Sequence, residues 1–367
     1  MAGVLESANL DALVQALHGR GYEVHAPVLL HGALVIRPIE SAADLPRGVV
    51  DEQDAGTHSL RLDQGVRYFD YTAPADSWKR LFFPPRLRVW TAAIGGGEVT
   101  AAGATEPATR LALLGVRGCD LAAIRVQDRV FLGGPHPDPH YRTRREGAFI
   151  VAVNCARATS TCFCPSMGTG PRAEGGQDLT LTELPDGRFH VESFTAAGEA
   201  VLASLPVAPG TEGDAAEVAG VVAATAASIR RTMPEGIAAT LAGAFDSPRW
   251  QAIADRCLAC GNCTMVCPTC FCSAVEHTTD LAGSAIQERR WDTCFSAGHS
   301  YIHGGSVRAS TAPRYRQWLT HKLSTWHDQF GTSGCTGCGR CIAWCPVAID
   351  ITQEAHAFTA AAAGGRT

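Results

Sequence analysis

Residues 257–270 read CLACGNCTMVCPTC, and residues 335–346 read CTGCGRCIAWCP. Both stretches contain the pattern C-x2-C-x2-C-x3-C-P, the spacing with which bacterial two-cluster ferredoxins bind 4Fe–4S clusters. A cubane has four iron corners, and each takes a soft thiolate ligand. Three cysteines at three-residue steps let one tight loop reach three corners, and Gly261, Gly337 and Gly339 allow the backbone to approach the inorganic sulfide. The two stretches therefore predict two 4Fe–4S clusters.

The cysteine spacing also predicts how the two runs share their ligands. In two-cluster ferredoxins the fourth cysteine of each run binds the other cluster. We therefore expect one cluster to be held by Cys257, Cys260, Cys263 and Cys345. We expect the second cluster to be held by Cys335, Cys338, Cys341 and Cys267. Zinc is an alternative, although zinc sites usually pair two C-x2-C knuckles rather than place three cysteines in one run with a fourth after it.

Composition narrows the class of protein. The chain has 367 residues, of which 46% are hydrophobic, enough for about two or three domains with a sizeable core. Its net charge of −5 gives no signal for nucleic acid as a partner. No apolar run approaches the roughly 18 residues that span a bilayer, and the N-terminus lacks the features of a signal peptide. We expect a cytoplasmic protein, in which fifteen cysteines are more consistent with metal binding than with disulfides.

The first part of the chain, residues 1–245, is predicted to form an α/β domain. Helical spacing over 7–20 stops at a glycine, and the stretch 179–194 reads as a hairpin around a Pro-Asp-Gly turn. The compact apolar runs at 111–116 and 148–154 alternate with helical segments. Such runs are typical of buried parallel strands.

The second part, residues 246–355, is predicted to be an α-helical, ferredoxin-like dicluster domain. Between its cysteine loops the segment AVEHTTDLAGSAIQERRW (274–291) is expected to be a helix. The tail, residues 356–367, is expected to be flexible. The whole fold is thus expected to be α/β or α+β with a helical iron–sulfur domain at its C-terminal end.

Seven further cysteines lie outside the two runs, and the first group contains four of them. Cys119 and Cys155 each follow an apolar, strand-like run, so parallel strands would bring both to the same carboxyl edge of a sheet. Cys162 and Cys164 follow in the stretch CARATSTCFC. The four could converge on one metal site, with Asp120 as a possible extra ligand. The alternative is that they are small buried hydrophobic residues, as free cysteine often is.

The second group contains Cys270, Cys272 and Cys294, in PTCFCSAV and WDTCFS. Three cysteines need a fourth metal ligand, for which His303 and Asp292 are candidates, or they complete a site shared with the N-terminal domain. Packing beside the clusters is the alternative. The two groups are therefore consistent with one or two iron–sulfur clusters in addition to the first two.

The sequence contains no convincing nucleotide-binding or catalytic motif. Neither GGG at 95–97 nor MGTGP at 167–171 has the strand–GxGxxG–helix context of a dinucleotide site. The first is expected to be a turn, and the second, which follows Cys164, is either a plain loop or a segment that approaches a cluster or a partner's flavin. No Ser/His/Asp or paired-carboxylate arrangement is visible. Together with the family resemblance described next, this implies a non-catalytic electron-transfer subunit of an oxidoreductase.

Several blocks together make the sequence similar to one family. They are GVRGCDLAAIRVQDRVFL, NCARATSTCFCPSMGTGP, CLACGNCTMVCPTCFC, WDTCFSAGHSYIHGGSVR and GCTGCGRCIAWCPVAIDIT. They resemble the dicluster iron–sulfur beta subunit of cytoplasmic NAD(P)-linked [NiFe] hydrogenases, the sulfhydrogenases. The same family includes the iron–sulfur A subunit of anaerobic sulfite reductase. The resemblance covers residues from about 20 to 352, and the one departure is Gly118 at a position where proline is expected.

The resemblance implies a role between two partners. A flavoprotein subunit would bind FAD and NAD(P)H, and this chain would pass single electrons to the small and large subunits of a [NiFe] hydrogenase. In a sulfite reductase the catalytic partner would instead be a siroheme subunit. A cluster-dependent sensor or assembly module is a further alternative from another class. Two closed cluster motifs with additional cysteines favour the electron relay.

Overall fold

The structure is a computed structural model that describes residues 1–63, 65, 67–95, 98–103 and 109–364. The described strands are β1 Ala2–Leu5, β2 Glu23–Leu30, β3 Ala33–Pro38, β4 Val49–Asp54, β5 Thr57–Leu62, β6 Arg86–Gly95, β7 Glu98–Gly103, β8 Leu111–Arg117, β9 Phe149–Val153, β10 Leu179–Glu183, β11 Phe189–Ser193, β12 Val207–Pro209, β13 Ser273–Thr279, β14 Ser284–Trp291, β15 Tyr301–Ile302 and β16 Gly305–Ser306.

The described α-helices are α1 Leu10–His18, α2 Lys79–Phe82, α3 Gly118–Leu132, α4 Pro139–Arg145, α5 Ala196–Leu202, α6 Glu212–Ser228, α7 Ile237–Ala242, α8 Arg249–Ala254, α9 Asn262–Met265, α10 Thr311–Thr320, α11 Trp326–Phe330, α12 Arg340–Ala343 and α13 Ile351–Gly364. A π-helix, His321–Thr325, joins α10 to α11. In the part of the chain that the structure describes, no helix combines the length and the apolar character that a membrane span requires.

The N-terminal part is organised around an eight-stranded mixed sheet with the order β12-β1-β11-β10-β9-β8-β2-β3. The neighbours β2–β8, β8–β9 and β9–β10 run parallel, as the buried runs at 111–116 and 148–154 predict. One face of the sheet packs against α1 through Leu13 and Val14, and the other packs against α3 through Leu121 and Ile124. Because both faces are covered, β8 and β9 consist almost wholly of apolar residues.

The C-terminal part surrounds the two ferredoxin-type cysteine runs with a separate hydrophobic core. This core contains Trp250, Phe295, Tyr315 and Trp318 from helices and loops on either side of the runs. Several cysteines of the two runs pack against it. The expected mixed α/β fold with a helical cluster region is therefore confirmed at the level of fold class.

The segment 274–291 is not a helix, contrary to the sequence prediction. It forms the antiparallel hairpin β13–β14, whose second strand pairs with β6, for example through Ile286 opposite Thr91. Its threonines, Val275 and Ile286 favour extended backbone, and Gly283, at φ +84°, closes the turn. The resulting four-stranded sheet β13-β14-β6-β7 joins strands from both sides of the boundary proposed near residue 245.

The expected flexible tail is helical for most of its length. Helix α13 continues to Gly364, and the buried Phe358 ring lies 4.3 Å, centroid to centroid, from Trp250. The run of alanines after Phe358 has high helix propensity, which the flexible-tail prediction neglected. Residues 365–367 lie outside the described residues, as do Gly96 and Gly97 of the turn expected at 95–97.

Candidate metal centres

The first cavity collects the three leading cysteines of the first run and the last cysteine of the second run. Cys257, Cys260 and Cys263 line it together with Cys345 and Cys341. The fourth cysteine of the second run therefore lies beside the opposite run. Phe295, Tyr315 and Trp318 close the apolar side of this cavity.

The backbone around the first cavity is arranged to approach sulfur closely. Ala259 and Gly261 both adopt positive φ, at +50° and +78°, which folds the loop tightly. The Ala259 amide donates to Cys257 Sγ at 3.4 Å, and the Ile349 amide donates to Cys345 Sγ at 3.3 Å. Amides that point at sulfur stabilise negative charge on it, and soft thiolates are the ligands of iron–sulfur clusters. The donor set and the loop geometry thus fit a 4Fe–4S cubane.

The second set consists of Cys335, Cys338 and Cys341 with Cys267. The Thr269 hydroxyl donates to the Gly334 carbonyl at 2.6 Å, which brings the segment after Cys267 beside Cys335. Burial raises the pKa of the Cys341 thiol well above its usual value, and the charges of Cys335, Cys338 and Cys267 raise it further. Burial likewise raises the pKa of Cys335 to about 12. Crowded, buried thiols resist ionisation without a cation. Iron would supply that positive charge.

Cys267 differs from the other members of the second set because a cation contacts it. Lys322 Nζ donates to Cys267 Sγ at 3.2 Å, and the Thr269 hydroxyl lies 3.1 Å from the same sulfur. A hydrogen bond with Cys270 and the charge of Lys322 lower the pKa of Cys267 well below its usual value, against the opposing effect of burial. The contact with Lys322 therefore favours the thiolate form of Cys267.

The third cavity brings together the four cysteines of the N-terminal part. Cys119 follows β8 and Cys155 follows β9, and the two line one cavity with Cys162, Cys164 and Cys338. Parallel strands place both strand ends at one edge, as the sequence predicts. The buried Arg117 also lines this cavity and donates to the Tyr71 carbonyl at 2.7 Å. These residues fit a metal centre with four thiolates.

Asp120 is not available as the extra ligand suggested by the sequence. Its two carboxylate oxygens accept hydrogen bonds from the guanidinium of Arg340, at 2.7 and 3.0 Å, and both side chains are buried. The pairing could not be foreseen because Arg340 lies 220 residues away in the second cysteine run. Asp120 instead joins the sheet to that run.

A fourth cavity, of about 330 Å³, is lined by Cys270, Cys272 and Cys294. Two histidines line it, His299 and His321, whereas the expected His303 is exposed. Asp292, the other expected ligand, is hydrogen-bonded to His299 Nδ1 at 3.0 Å. Hydrogen bonds with Cys272 and Asp292 raise the pKa of His299 to about 9, despite the opposing effect of burial. Only the spacing WDTCFSAGH, with His299 five residues after Cys294, could have indicated His299 beforehand.

The four sets are contiguous, and the second set is central. Cys341 also lines the first cavity, and Cys338 also lines the third. Lys322, which contacts Cys267, lines the fourth. The described residues contain no group of three or more His, Cys, Asp or Glu side chains close enough to hold a single metal ion. The thiols of the first, third and fourth sets instead line cavities.

The stretch MGTGP packs against the second cysteine run. The Thr169 hydroxyl donates to the Thr336 carbonyl at 2.6 Å, and Pro171 lines the third cavity. Gly118, where the resembled family suggested proline, lies against the same stretch: a Cβ there would meet the Thr169 carbonyl oxygen at 2.9 Å. The two glycine-containing segments therefore approach each other beside the third set.

Comparison with known proteins agrees with this geometry. Residues 256–349 match the family of 4Fe–4S dicluster domains. Over 284 residues the chain is 35% identical to a Pyrococcus furiosus protein named sulfhydrogenase 2 subunit beta, covering 77% of this chain and 82% of that protein. No solved structure matches the chain.

The dicluster match and the two cysteine runs define an iron–sulfur electron-transfer subunit. More particularly, the chain belongs to the family of sulfhydrogenase beta subunits, which confirms the resemblance seen in the sequence.

Proposed function

We propose that this subunit relays single electrons between a flavoprotein that binds FAD and NAD(P)H and the small and large subunits of a [NiFe] hydrogenase. The observation that carries the proposal is that the four cysteine sets are contiguous. Cys341 and Cys338 both belong to the second set, and they also line the first and the third cavity, respectively. A relay needs such a series of sites, whereas a sensor or an assembly module needs only one. The similarity to a sulfhydrogenase beta subunit supports the hydrogenase as the catalytic partner.

The proposed ligands of the first two clusters follow the exchange pattern. The first 4Fe–4S cluster is assigned to Cys257, Cys260, Cys263 and Cys345. The second is assigned to Cys335, Cys338, Cys341 and Cys267. The third and fourth sets are proposed to bind one or two further iron–sulfur clusters through Cys119, Cys155, Cys162 and Cys164, and through Cys270, Cys272 and Cys294.

The first set is the proposed point of exchange with a partner. Cys260 is the one exposed cysteine among the fifteen, and the neighbouring Leu258 is 64% exposed. Exposed apolar residues beside a cluster loop are suited to a docking face. The proposed location of the complex is the cytoplasm.

The flavoprotein is required because of electron counting. A hydride carries two electrons, whereas a 4Fe–4S cluster accepts one, so a flavin must divide the pair. The sequence contains no convincing dinucleotide fingerprint of its own. The chain alone should therefore be unable to oxidise a nicotinamide.

Anaerobic mixing tests this function. The purified, cluster-loaded chain is mixed with NADH or NADPH, and cluster absorbance is followed with and without the flavoprotein. In the control, free FAD replaces the flavoprotein. We expect negligible bleaching until the flavoprotein is added. Fast, stoichiometric bleaching of the isolated, flavin-free chain would overturn the relay. Electron delivery to a siroheme subunit but not to the hydrogenase subunits would favour the sulfite reductase alternative.

A further inference from the structure

The chain contains only two lysines, and the structure places both at the same short segment. Lys79 and Lys322 are the only lysines in a sequence whose lysines and arginines total 31. Their exposed fractions are 5% and 3%, although lysine is rarely buried unless it is paired. Lys322 contacts Cys267 and Lys79 contacts Cys270. A chain that otherwise uses arginine for positive charge thus has lysine only where it meets residues 267–270.

The surroundings of Lys322 explain why arginine would not serve there. Its Nζ donates to Cys267 Sγ at 3.2 Å, to Thr269 Oγ1 at 3.0 Å and to the Gly334 carbonyl at 3.0 Å. These three acceptors use all three N–H donors of an ammonium group. A planar guanidinium cannot direct three donors from one atom in this way. The site therefore requires a compact, charged donor.

An irregular helix carries Lys322, and an aromatic ring helps to bury it. Lys322 lies in the π-helix His321–Thr325, and π-helical turns occur frequently at functional sites. The Trp326 ring covers the ammonium, with Nζ 5.2 Å from the ring centroid. Trp326 itself packs so tightly on Gly334 that a Cβ there would lie 1.4 Å from the ring. Shielding from water strengthens the effect of the charge on its neighbours.

Lys79 places a second positive charge at the other end of the segment. Its Nζ donates to the Cys270 carbonyl at 3.1 Å and lies 3.8 Å from the centroid of the Trp291 ring. It contacts the backbone rather than a sulfur. Lys79 therefore resembles Lys322 in burial and charge but lacks its hydrogen bond to a thiolate.

We infer that Lys322 is a positioning residue that raises the reduction potential of the cluster bound by Cys267. The inference rests on the proposed function, in which Cys267 is a ligand of the second cluster. Each electron that the cluster accepts from a partner adds one negative charge, which the fixed ammonium offsets, and no proton has to move. Since the second set is central, a raised potential there would hold the electron between the flavoprotein side and the catalytic side.

A potentiometric titration of the cluster-loaded chain, followed by EPR, tests this inference. In Lys322→Met the equilibrium constant for reducing the second cluster should fall at least about tenfold, a shift of roughly 59 mV to more negative potential for a one-electron couple. Lys79→Met, which removes the other buried lysine but no hydrogen bond to a sulfur, is the matched control and should shift the potential much less. A loaded Lys322→Met chain with an unchanged midpoint would overturn the inference.

A second measurement does not require the Lys322 variant to fold. Because the chain has two lysines, selective ¹⁵N-lysine labelling introduces only two labelled side chains. Pulsed EPR of the reduced, labelled chain should show a ¹⁵N coupling that persists in Lys79→Met, where Lys322 is the one labelled lysine left. If Lys79→Met shows 4Fe–4S signals without any ¹⁵N coupling, the inference is wrong. Absence of 4Fe–4S signals from the unaltered chain would instead be a failure of the proposed function.

Discussion

The guanidinium of Arg340 and the carboxylate of Asp120 form a bidentate ion pair in which both side chains are 1% exposed. Arg340 Nε also donates to the Pro74 carbonyl at 2.6 Å. Asp120 is adjacent to Cys119, and Arg340 lies between Cys338 and Cys341. The pair therefore joins the edge of the main sheet, which carries the third cysteine set, to the loop that carries the second.

Arg340→Met should destabilise the chain strongly. It leaves the carboxylate of Asp120 buried without a partner, and breaking one side of a buried pair costs about 3–5 kcal/mol. The double variant Arg340→Met with Asp120→Leu should lose much less stability, because it removes the uncompensated charge. Urea unfolding of the cluster-loaded chain, followed by circular dichroism, measures both. Equal losses in the single and double variants would contradict this account.

Replacing Cys267 should perturb the cluster of the opposite run. In Cys267→Ser we expect the EPR signal of the cluster on Cys335, Cys338 and Cys341 to change. In Cys345→Ser the other signal should change, because Cys345 lines the cavity of the first run. The signal changed by Cys267→Ser should also be the one shifted by Lys322→Met. A structure with Cys267 bonded to the same cubane as Cys257 would show that the ligands are not exchanged.

The sequence predicts the features that depend on local spacing or strand order. The two cysteine runs and the strand-end positions of Cys119 and Cys155 are of this kind, since parallel strands bring their carboxyl ends together. The helix prediction at 274–291 neglected the β-branched residues of this segment, and β6, the strand that pairs with the hairpin, lies about 200 residues earlier. The role of Asp120 escapes prediction for a similar reason, because Arg340, 220 residues away in the sequence, decides it.

Iron content should exceed that of two cubanes if the third set binds a cluster. Two 4Fe–4S clusters contain about eight irons, and a third would raise the total to about twelve. In the anaerobically purified chain, Cys119, Cys155, Cys162 and Cys164 should also resist alkylation until the iron is removed. Mass spectrometry of the alkylated peptides measures this. About eight irons together with rapid alkylation of all four thiols would exclude the third site.

Gly337→Ala should separate the second cysteine run from the segment that carries Cys164. Gly337 has φ +67°, and a Cβ there would lie 2.6 Å from the Cys164 backbone. The two segments cannot move apart without breaking the hydrogen bond from the Phe163 amide to the Gly337 carbonyl. Positive φ alone costs a non-glycine residue roughly 1–2 kcal/mol. Gly168→Ala is the matched control, because Gly168 has φ +64° and a Cβ there would meet no atom within 4 Å, so this variant carries the backbone cost without the clash.

The two variants should therefore differ in more than stability. Gly168→Ala should lower the free energy of unfolding by about the backbone cost alone and retain its full iron content. Gly337→Ala should lose more stability and should expose Cys164 to alkylating reagents, because the two segments can no longer pack at their present distance. Urea unfolding and alkylation kinetics of Cys164 distinguish the two effects. If Gly337→Ala matches Gly168→Ala in both measurements, the close packing of Cys164 on the second run does not hold the third and second sets together.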